Sequence, residues 1–287
     1  MTPLAPSPES LDRQLEIAVC RLADDLRFGQ DASPYAGAGV EYLQSRPFEE
    51  GDSVRDIDWR VTARTGRFHV KEYEALKSMP VYLMVDTSAS MAVSSRPFSK
   101  HKLAVLLAGG LALAALRRMS PVGLLAGGSR QLHSEPTLMR GRVFQWLHAL
   151  RRVGKNESTF LGERLDQLAG LVASRTMVIV ISDLHDQAAV PAIKRLAQRH
   201  EVLVLQLEDP AERGDLRGGL FHAMEAETGR TFVTHGRSRW FDDPLKKPRK
   251  SLAAAAVDYL LLATDRPFVP ALRRLLVDRG GLARNTR

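Results

Sequence analysis

The apolar residues of the chain follow two different periods. Between residues 29 and 80, apolar and polar residues alternate, and Gly, Pro and aromatic residues are frequent. In DIDWRVTA the alternation runs from Ile57 to Ala63, and RFHVKEY resumes it beyond a short turn that contains Gly66. Alternation is typical of strands with one buried face, so the segment predicts a β-hairpin within a small β-rich subdomain at residues 29–80.

From Val81 onward, uniformly apolar strands alternate with helices. Strands are predicted at VYLMVD, VGLLAGG, TMVIVISD, EVLVLQLED and VDYLLLAT, and a strongly apolar helix is predicted over residues 100–118. Strands that are apolar on both faces and separated by helices are typical of a parallel sheet covered on both sides. The pattern predicts one α/β domain over residues 81–287, with a β-hairpin and a basic linker at residues 216–250. An N-terminal lead-in and helix, residues 1–28, precede the β-rich subdomain.

Composition narrows the class of protein. The 287 residues are 44% apolar and 26% charged, which is ordinary for a globular protein and argues against disorder. A single cysteine, Cys20, excludes an internal disulfide, so a reducing compartment is expected. The longest apolar run, residues 103–116, is shorter than the ~20 residues that cross a bilayer, and MTPLAPSPES lacks the features of a signal peptide. We therefore expect a cytoplasmic protein without a membrane span.

Charge adds two open questions. The net charge is +8, which favours acidic partners, and the densest basic stretch is RSRWFDDPLKKPRK at residues 237–250. A solvated loop explains this stretch better than a nucleic-acid-binding surface does. The charged side chains between Asp52 and Arg64 form either structural ion pairs or a docking face, and the structural interpretation is favoured.

Oxygen donors follow the predicted strands at one edge of the sheet. Asp86, Ser88 and Ser90 come directly after the first apolar strand, Asp183 ends TMVIVISD, and Thr159 lies in the loop before a helix. The carboxyl ends of parallel strands meet at one edge, where ligands bind in open α/β sheets. Such residues are also common helix caps, but their order on this architecture favours a site for a hard divalent cation, Mg²⁺ or Mn²⁺.

Two stretches resemble known signatures. DTSASM resembles the metal-ion-dependent adhesion site of the von Willebrand factor A fold, whose pattern is Asp-x-Ser-x-Ser, then a Thr, then an Asp. GAGVEYLQSRPFEEGDSVRDIDWRVTARTGRFHVKEYE, together with VDYLLLATDRPFVPALRRLL, resembles the bacterial family DUF58, which carries that fold. The resemblance implies a von Willebrand factor A-like, Rossmann-type α/β sheet with helices on both faces.

The same resemblance implies a function. Proteins of this kind are typically encoded beside MoxR-type AAA+ ATPases and are thought to act with them in the maturation or assembly of a client protein. Position by position, Asp86, Ser88 and Ser90 would form the first metal loop, Thr159 the second and Asp183 the third. This chain has Glu157 and Ser158 where similar proteins often place glycines. The resemblance thus implies a non-catalytic adapter whose partners are such an ATPase and a client.

Two other functions stay open. An Asp at the end of a first strand also begins several Mg²⁺-dependent phosphoryl-transfer sites, but these need a nucleophile and a base or a phosphate-holding loop. Here Ser88, rather than an acid, is the second residue after Asp86, and no G-x-x-x-x-G-K-[ST] motif is present. A phosphohydrolase and a nucleic-acid-binding protein therefore remain secondary hypotheses, and no catalytic residue is predicted.

Overall fold

The structure is a computed structural model that describes residues 8–26, 40–75, 79–130, 132–152, 157–213, 220–224, 231–235 and 246–279. The chain divides into two compact units. Residues 30–78 form the small unit, and residues 1–29 together with 79–287 form the large unit.

The small unit contains one antiparallel strand pair with helical turns between its strands. Its elements are β1 (Val40–Pro47), a 3₁₀ helix (Val54–Asp56), α2 (Trp59–Thr65) and β2 (His69–Ala75). β1 pairs with β2 in antiparallel register, and Ile57 forms an isolated bridge to Val70.

The predicted strand over DIDWRVTA is wrong, because most of that segment is the helix α2. The side chain of Asp58 accepts hydrogen bonds from the backbone N–H groups of Arg60 and Val61, which is N-cap geometry. At the other end Gly66 adopts φ = 72°, the left-handed conformation that ends many helices. These two local signals override the alternating pattern of apolar residues.

The large unit is built on one six-stranded sheet. Its strands in chain order are β3 (Val81–Val85), β4 (Val122–Ala126), β5 (His133–Thr137), β6 (Met177–Ser182), β7 (Glu201–Glu208) and β10 (Asp258–Ala263). Their spatial order is β10-β7-β6-β3-β4-β5, and every neighbouring pair is parallel except β4 with β5. Every residue of β3, β4, β6 and β7 is buried, as a sheet covered on both faces requires.

Helices cover both faces of this sheet, which confirms the predicted α/β class. One core contains side chains of α1, α4, α5 and α9, and the other contains side chains of α6, α7 and α8. The helices are α1 (Pro8–Asp25), α3 (Ala89–Ala92), α4 (Lys100–Arg117), α5 (Arg140–Arg151), α6 (Leu161–Leu171), α7 (Ala189–Ala197), α8 (Lys246–Ala253) and α9 (Val269–Asp278). Within the described ranges, no helix is both long enough and apolar enough to cross a membrane.

Two segments differ from expectation. The strand β5 was not predicted; it is polar, contains Pro136 and lies at the edge of the sheet, where a missing N–H is tolerated. Part of the predicted basic linker is instead helical, because α8 begins at Lys246 with Pro248 in its first turn, where no backbone donor is required. The rest of the basic stretch, residues 237–245, lies outside the described residues.

A separate antiparallel pair follows the 3₁₀ helix Pro210–Arg213. β8 (Leu220–Met224) pairs with β9 (Thr231–His235), as the hairpin pattern indicates. The segment between these two strands, where the sequence TG at residues 228 and 229 indicates the turn of the hairpin, lies outside the described residues.

Candidate metal site at the carboxyl edge of the sheet

The candidate site lies where the strand order reverses. From β3 the chain continues to β4 on one side, and it later returns to β6 on the other side. In open α/β sheets this switch point opens a crevice at the carboxyl ends of the strands. Asp86 directly follows β3 and Asp183 directly follows β6, and the N–H of Asp86 donates to the carbonyl of Ile181 at 2.9 Å. The two acids therefore follow neighbouring strands in the centre of the sheet.

Asp86 is a buried carboxylate without a cationic partner among the described residues. It is 1% exposed, and it accepts hydrogen bonds from the Ser182 hydroxyl at 2.6 Å and from the backbone N–H of Ser88 at 2.9 Å. Burial, and next the negative charge of Asp183, raise the pKa of Asp86 to about 6. Buried charges in proteins are normally paired or bound to a metal. Among the described residues, no cationic side chain therefore compensates the charge of Asp86.

The two serines lie between the acids. The Ser88 and Ser90 hydroxyls are 2.9 Å apart, and Ser90 is one of the groups that lower the pKa of Asp183, after Lys100 and His185. Ser88 occupies the N-cap position of α3, but its side chain makes no capping hydrogen bond. The capping explanation for this serine therefore fails, and its hydroxyl is instead hydrogen-bonded with that of Ser90.

Asp183 already has a cation beside it. The Lys100 ammonium, at the first position of α4, lies 2.7 Å from a carboxylate oxygen of Asp183, and it also pairs with Glu212. Burial alone would lower the pKa of Lys100, but Asp183 and Glu212 outweigh it and raise that pKa. Burial by itself would raise the pKa of Asp183, but the charges of Lys100 and then of His185 lower that pKa below its ordinary value. Asp183 is therefore a charge-compensated carboxylate, in contrast to Asp86.

Thr159 reaches the same edge through its main chain. It forms an isolated antiparallel bridge with Gly128, just after β4, and the next residue, Phe160, donates its N–H to the carbonyl of Gly127 at 3.0 Å. Gly127 in turn donates to the carbonyl of Val85, the last residue of β3. No hydrogen bond links the Thr159 hydroxyl to the other four site residues within the described ranges. Among the described residues, backbone hydrogen bonds rather than the Thr159 side chain therefore connect the second loop to the site.

Glu157 fixes the second loop to the first. Its buried carboxylate accepts from the Thr87 hydroxyl at 2.6 Å and from the Arg130 guanidinium at 2.8 Å, and its carbonyl accepts from the N–H of Ala89 at 2.8 Å. A Cβ at Gly128 would lie 2.3 Å from this carboxylate, so only glycine fits there. The residue that departs from the usual glycines before Thr159 therefore has a structural role.

The donor set fits a divalent cation. Asp86, Asp183 and Glu212 carry three negative charges and Lys100 carries one positive charge, so −3 + 1 leaves a formal charge of −2. The hydroxyl and carboxylate oxygens of the predicted residues suit Mg²⁺ or Mn²⁺. Ligand atoms of Asp183, His185 and Glu212 also lie within 4.8 Å of one another, a grouping that was not predicted.

Three residues of the site were missed from the sequence. Lys100 stands at the first position of helix α4, next to His101 and Lys102, and nothing in that basic start distinguishes it as the residue that reaches the site. His185 lies only two residues after Asp183 in the chain, whereas Glu212 carries no pattern in the sequence that links it to Asp183. Glu212 joins the group because the 3₁₀ helix that follows β7 brings its carboxylate to the Lys100 ammonium.

The strand order and the acidic switch point define a Rossmann-type α/β protein with a candidate cation site. A family model described as "Protein of unknown function DUF58" matches residues 44–243, and the chain therefore belongs to the DUF58 family, as predicted. The similar proteins include "Uncharacterized protein Rv1480" of Mycobacterium tuberculosis and "Uncharacterized protein Mb1516" of Mycobacterium bovis. Each is 28% identical over 278 residues, which cover 94% of this chain and 85% of the relative.

A solved structure is also similar. It is described as "Crystal Structure of the SpRpn10 VWA domain", with a TM-score of 0.41 and 10% sequence identity. The likeness covers 73% of this chain and 99% of that chain.

Proposed function

We propose that the chain is a non-catalytic adapter that binds a partner protein through a divalent cation, Mg²⁺ or Mn²⁺. The cation would be held by five side chains at the carboxyl edge of the sheet: Asp86, Ser88, Ser90, Thr159 and Asp183. The partner would be a MoxR-type AAA+ ATPase, with which the chain would act in the maturation or assembly of a client protein. A bound divalent cation would offer a coordination position to a carboxylate of the partner.

The observation that carries the proposal is the state of Asp86. This carboxylate is 1% exposed, lacks a cationic partner among the described residues, and is followed closely in the chain by two serines whose hydroxyls lie 2.9 Å apart. Ser182 and the Ser88 N–H hold it in one orientation. A rigid, uncompensated carboxylate beside neutral oxygen donors suits cation binding better than it suits structural support.

The charges around the serines favour binding over hydrolysis. A serine nucleophile needs a neutral base within hydrogen-bond reach. The amine of the site, Lys100, is held in its charged form by Asp183 and Glu212, which raise its pKa. His185 contacts Asp183 at 3.3 Å and makes no hydrogen bond to Ser88 or Ser90 among the described residues. These features support a role in protein interaction.

A binding experiment tests the proposal. The purified full chain is immobilised and incubated with a purified MoxR-type ATPase in Mg²⁺ or in EDTA. We expect capture in Mg²⁺, loss in EDTA, and weakened capture by Asp86→Ala and by Ser88→Ala. Asp278→Ala, which removes an exposed acid at the end of α9, is the matched control and should bind like the wild type.

The same preparations separate the alternatives. Capture that is unchanged in EDTA would overturn the metal-bridged mechanism. Metal-dependent release of phosphate from a phosphoester, abolished by Asp86→Ala, would instead support a phosphohydrolase. Binding of nucleic acid that falls steeply with salt and ignores EDTA would support the nucleic-acid hypothesis.

A further inference from the structure

The segment that follows β7 is connected to the candidate site by an ion pair. It consists of Asp209 and the 3₁₀ helix Pro210–Arg213, and we call it the strap. The Glu212 carboxylate contacts the Lys100 ammonium, which also lies 2.7 Å from Asp183. The same carboxylate accepts from the backbone N–H of Asp209 at 3.0 Å. Lys100 therefore links the strap to one of the predicted cation ligands.

Asp209 attaches the strap at a second place, the connection between α3 and α4. Its carboxylate accepts from the Ser94 hydroxyl at 3.1 Å, from the backbone N–H of Ser95 at 3.0 Å and from the Ser95 hydroxyl. Burial would raise the pKa of Asp209, but the hydrogen bonds from Ser95, Ala211 and Ser94 lower that pKa below its ordinary value. The strap is thus held at one end by these hydrogen bonds and at the other end by the ion pair.

The two acids, rather than helix α4, hold the Lys100 ammonium in place. Lys100 lies at the first position of α4, where the helix dipole disfavours a positive charge. Its side chain is 1% exposed, so the ammonium needs a carboxylate partner as long as it stays buried. The Asp183 side chain is also 1% exposed, whereas that of Glu212 is 18% exposed. Glu212 is therefore the partner that has access to water.

A cation bound to Asp183 would change this balance of charges. A divalent cation carries twice the charge of the ammonium, and both would contact the same carboxylate. Like charges at such short range repel each other strongly, because burial limits screening by water and salt. Cation binding therefore weakens the Lys100–Asp183 pair. Since the ammonium keeps a carboxylate partner, it leaves together with Glu212, toward the more exposed side.

We propose that the Lys100–Glu212 ion pair is a latch that holds the strap at the metal-free site and that a divalent cation opens. In the metal-free protein, Lys100 supplies positive charge to the acidic edge. In the cation-bound protein, the Glu212 end of the strap is released and the Asp209 end stays attached to the serines. The latch rests on the proposed metal site, and it adds a conformational difference by which a partner distinguishes the cation-bound chain from the metal-free chain.

Hydrogen exchange of the full chain, measured by mass spectrometry, tests the latch. The wild type is compared in EDTA and in saturating Mn²⁺, and electron paramagnetic resonance records the uptake of Mn²⁺ in the same buffer. We expect Mn²⁺ to speed the exchange of residues 209–213 by about tenfold, because local opening of the strap no longer breaks the ion pair. Asp86→Ala should exchange like the wild type in EDTA and should not respond to Mn²⁺.

Two variants remove the latch without a metal. In EDTA, Lys100→Met and Glu212→Gln should each exchange the strap as fast as the Mn²⁺-bound wild type does, and Mn²⁺ should cause no further increase. Slow exchange of β6, residues 177–182, verifies that each variant is folded. The matched controls are Lys102→Met in α4 and Glu135→Gln in β5, which change exposed residues and should behave like the wild type.

The outcomes separate the latch from the metal site. Strap exchange that Lys100→Met and Glu212→Gln leave unchanged in EDTA overturns the latch, whichever ion the chain binds. Uptake of Mn²⁺ by the wild type without faster exchange of the strap overturns the latch and leaves the metal site standing. Slower exchange of the strap in Mn²⁺ does the same, because Glu212 would then be a ligand of the cation. Absence of Mn²⁺ uptake overturns the metal site, and with it the opening of the latch by a cation.

Discussion

Lys100 provides the sharpest structural prediction, because it is the internal cation of an acidic site. Its ammonium and the Asp183 carboxylate are each 1% exposed and 2.7 Å apart, and Glu212 contacts the same ammonium. Lys100→Met keeps most of the aliphatic stem and removes only the charge and its hydrogen bonds. The change leaves two acids near the carboxyl edge without their counter-charge.

The expected loss of stability follows from this burial. Removing one partner of a buried ion pair costs about 3–5 kcal/mol, because the remaining charge stays away from water. In a domain of this size, 1 kcal/mol corresponds to roughly 2–4 °C in Tm. In EDTA, Lys100→Met should therefore lower the Tm by roughly 6–20 °C.

Mg²⁺ should restore more stability to Lys100→Met than it adds to the wild type. A divalent cation at the edge would replace the missing positive charge, so the variant should bind it more tightly. A cation at 100 times its Kd adds about 2.7 kcal/mol to the free energy of unfolding. Differential scanning calorimetry in EDTA and across a Mg²⁺ series measures both effects.

Lys102→Met is the matched control, because Lys102 is exposed two residues along the same helix and donates to the carbonyl of Pro97. It should shift the Tm by only a few degrees and leave the response to Mg²⁺ unchanged. The reasoning is refuted if Lys100→Met melts like the wild type in EDTA. If Mg²⁺ raises the Tm of the wild type and of Lys100→Met by the same amount, the reasoning about charge replacement is refuted.

Three further predictions concern other parts of the fold. Gly162→Ala should lose about 1–3 kcal/mol by chemical denaturation, because its Cβ would lie 2.6–3.0 Å from atoms of Ala188, whereas Gly170→Ala on the same helix meets nothing and should gain about 0.5–1 kcal/mol. Asp58→Ala removes the cap of α2 and should speed hydrogen exchange of that helix. Burial lowers the pKa of His101, so the buried neutral imidazole contributes to stability above pH ~6.5, and this contribution is lost as the pH falls. His101→Gln removes the titrating group and should therefore make the Tm decrease less steeply as the pH is lowered.

The large unit was predictable because its strands are apolar on both faces. The apolar segments that form β3, β6 and β7 are buried on both sides only in a parallel sheet that helices cover on both faces. The alternation of these strands with helices then placed Asp86 and Asp183 at one edge of the sheet. Elements with weaker burial were not predictable in the same way. β5 is polar and lies at the edge of the sheet, so no run of apolar residues in the sequence indicates it.

The small unit shows how a local signal can outweigh a periodic one. The alternation in DIDWRVTA indicated a strand, but Asp58 caps the first turn of a helix that Gly66 then ends. Apolar and polar residues do alternate in DIDWRVTA, but helix α2 leaves Trp59 exposed, whereas the predicted strand would have buried it. The exposure of Trp59 could therefore not be predicted from the sequence.

Part of the candidate site also lay beyond sequence reasoning. Asp86, Ser88, Ser90 and Asp183 follow from topology, since strand ends fix their positions. Lys100 pairs with an acid 83 residues further along the chain, and no local pattern specifies such a contact. Only the structure reveals that Lys100 compensates the charge of Asp183 and not that of Asp86.

The central claim is that the carboxyl edge binds a divalent cation through Asp86, and a Mn²⁺ titration followed by electron paramagnetic resonance tests it most directly. The signal of free Mn²⁺ is recorded as the full chain is added, for the wild type, for Asp86→Ala and for the Asp278→Ala control. We predict that the wild type and Asp278→Ala each remove one Mn²⁺ per chain from solution and that Asp86→Ala removes none. Absence of binding to the wild type, or binding that Asp86→Ala leaves intact, would contradict the claim.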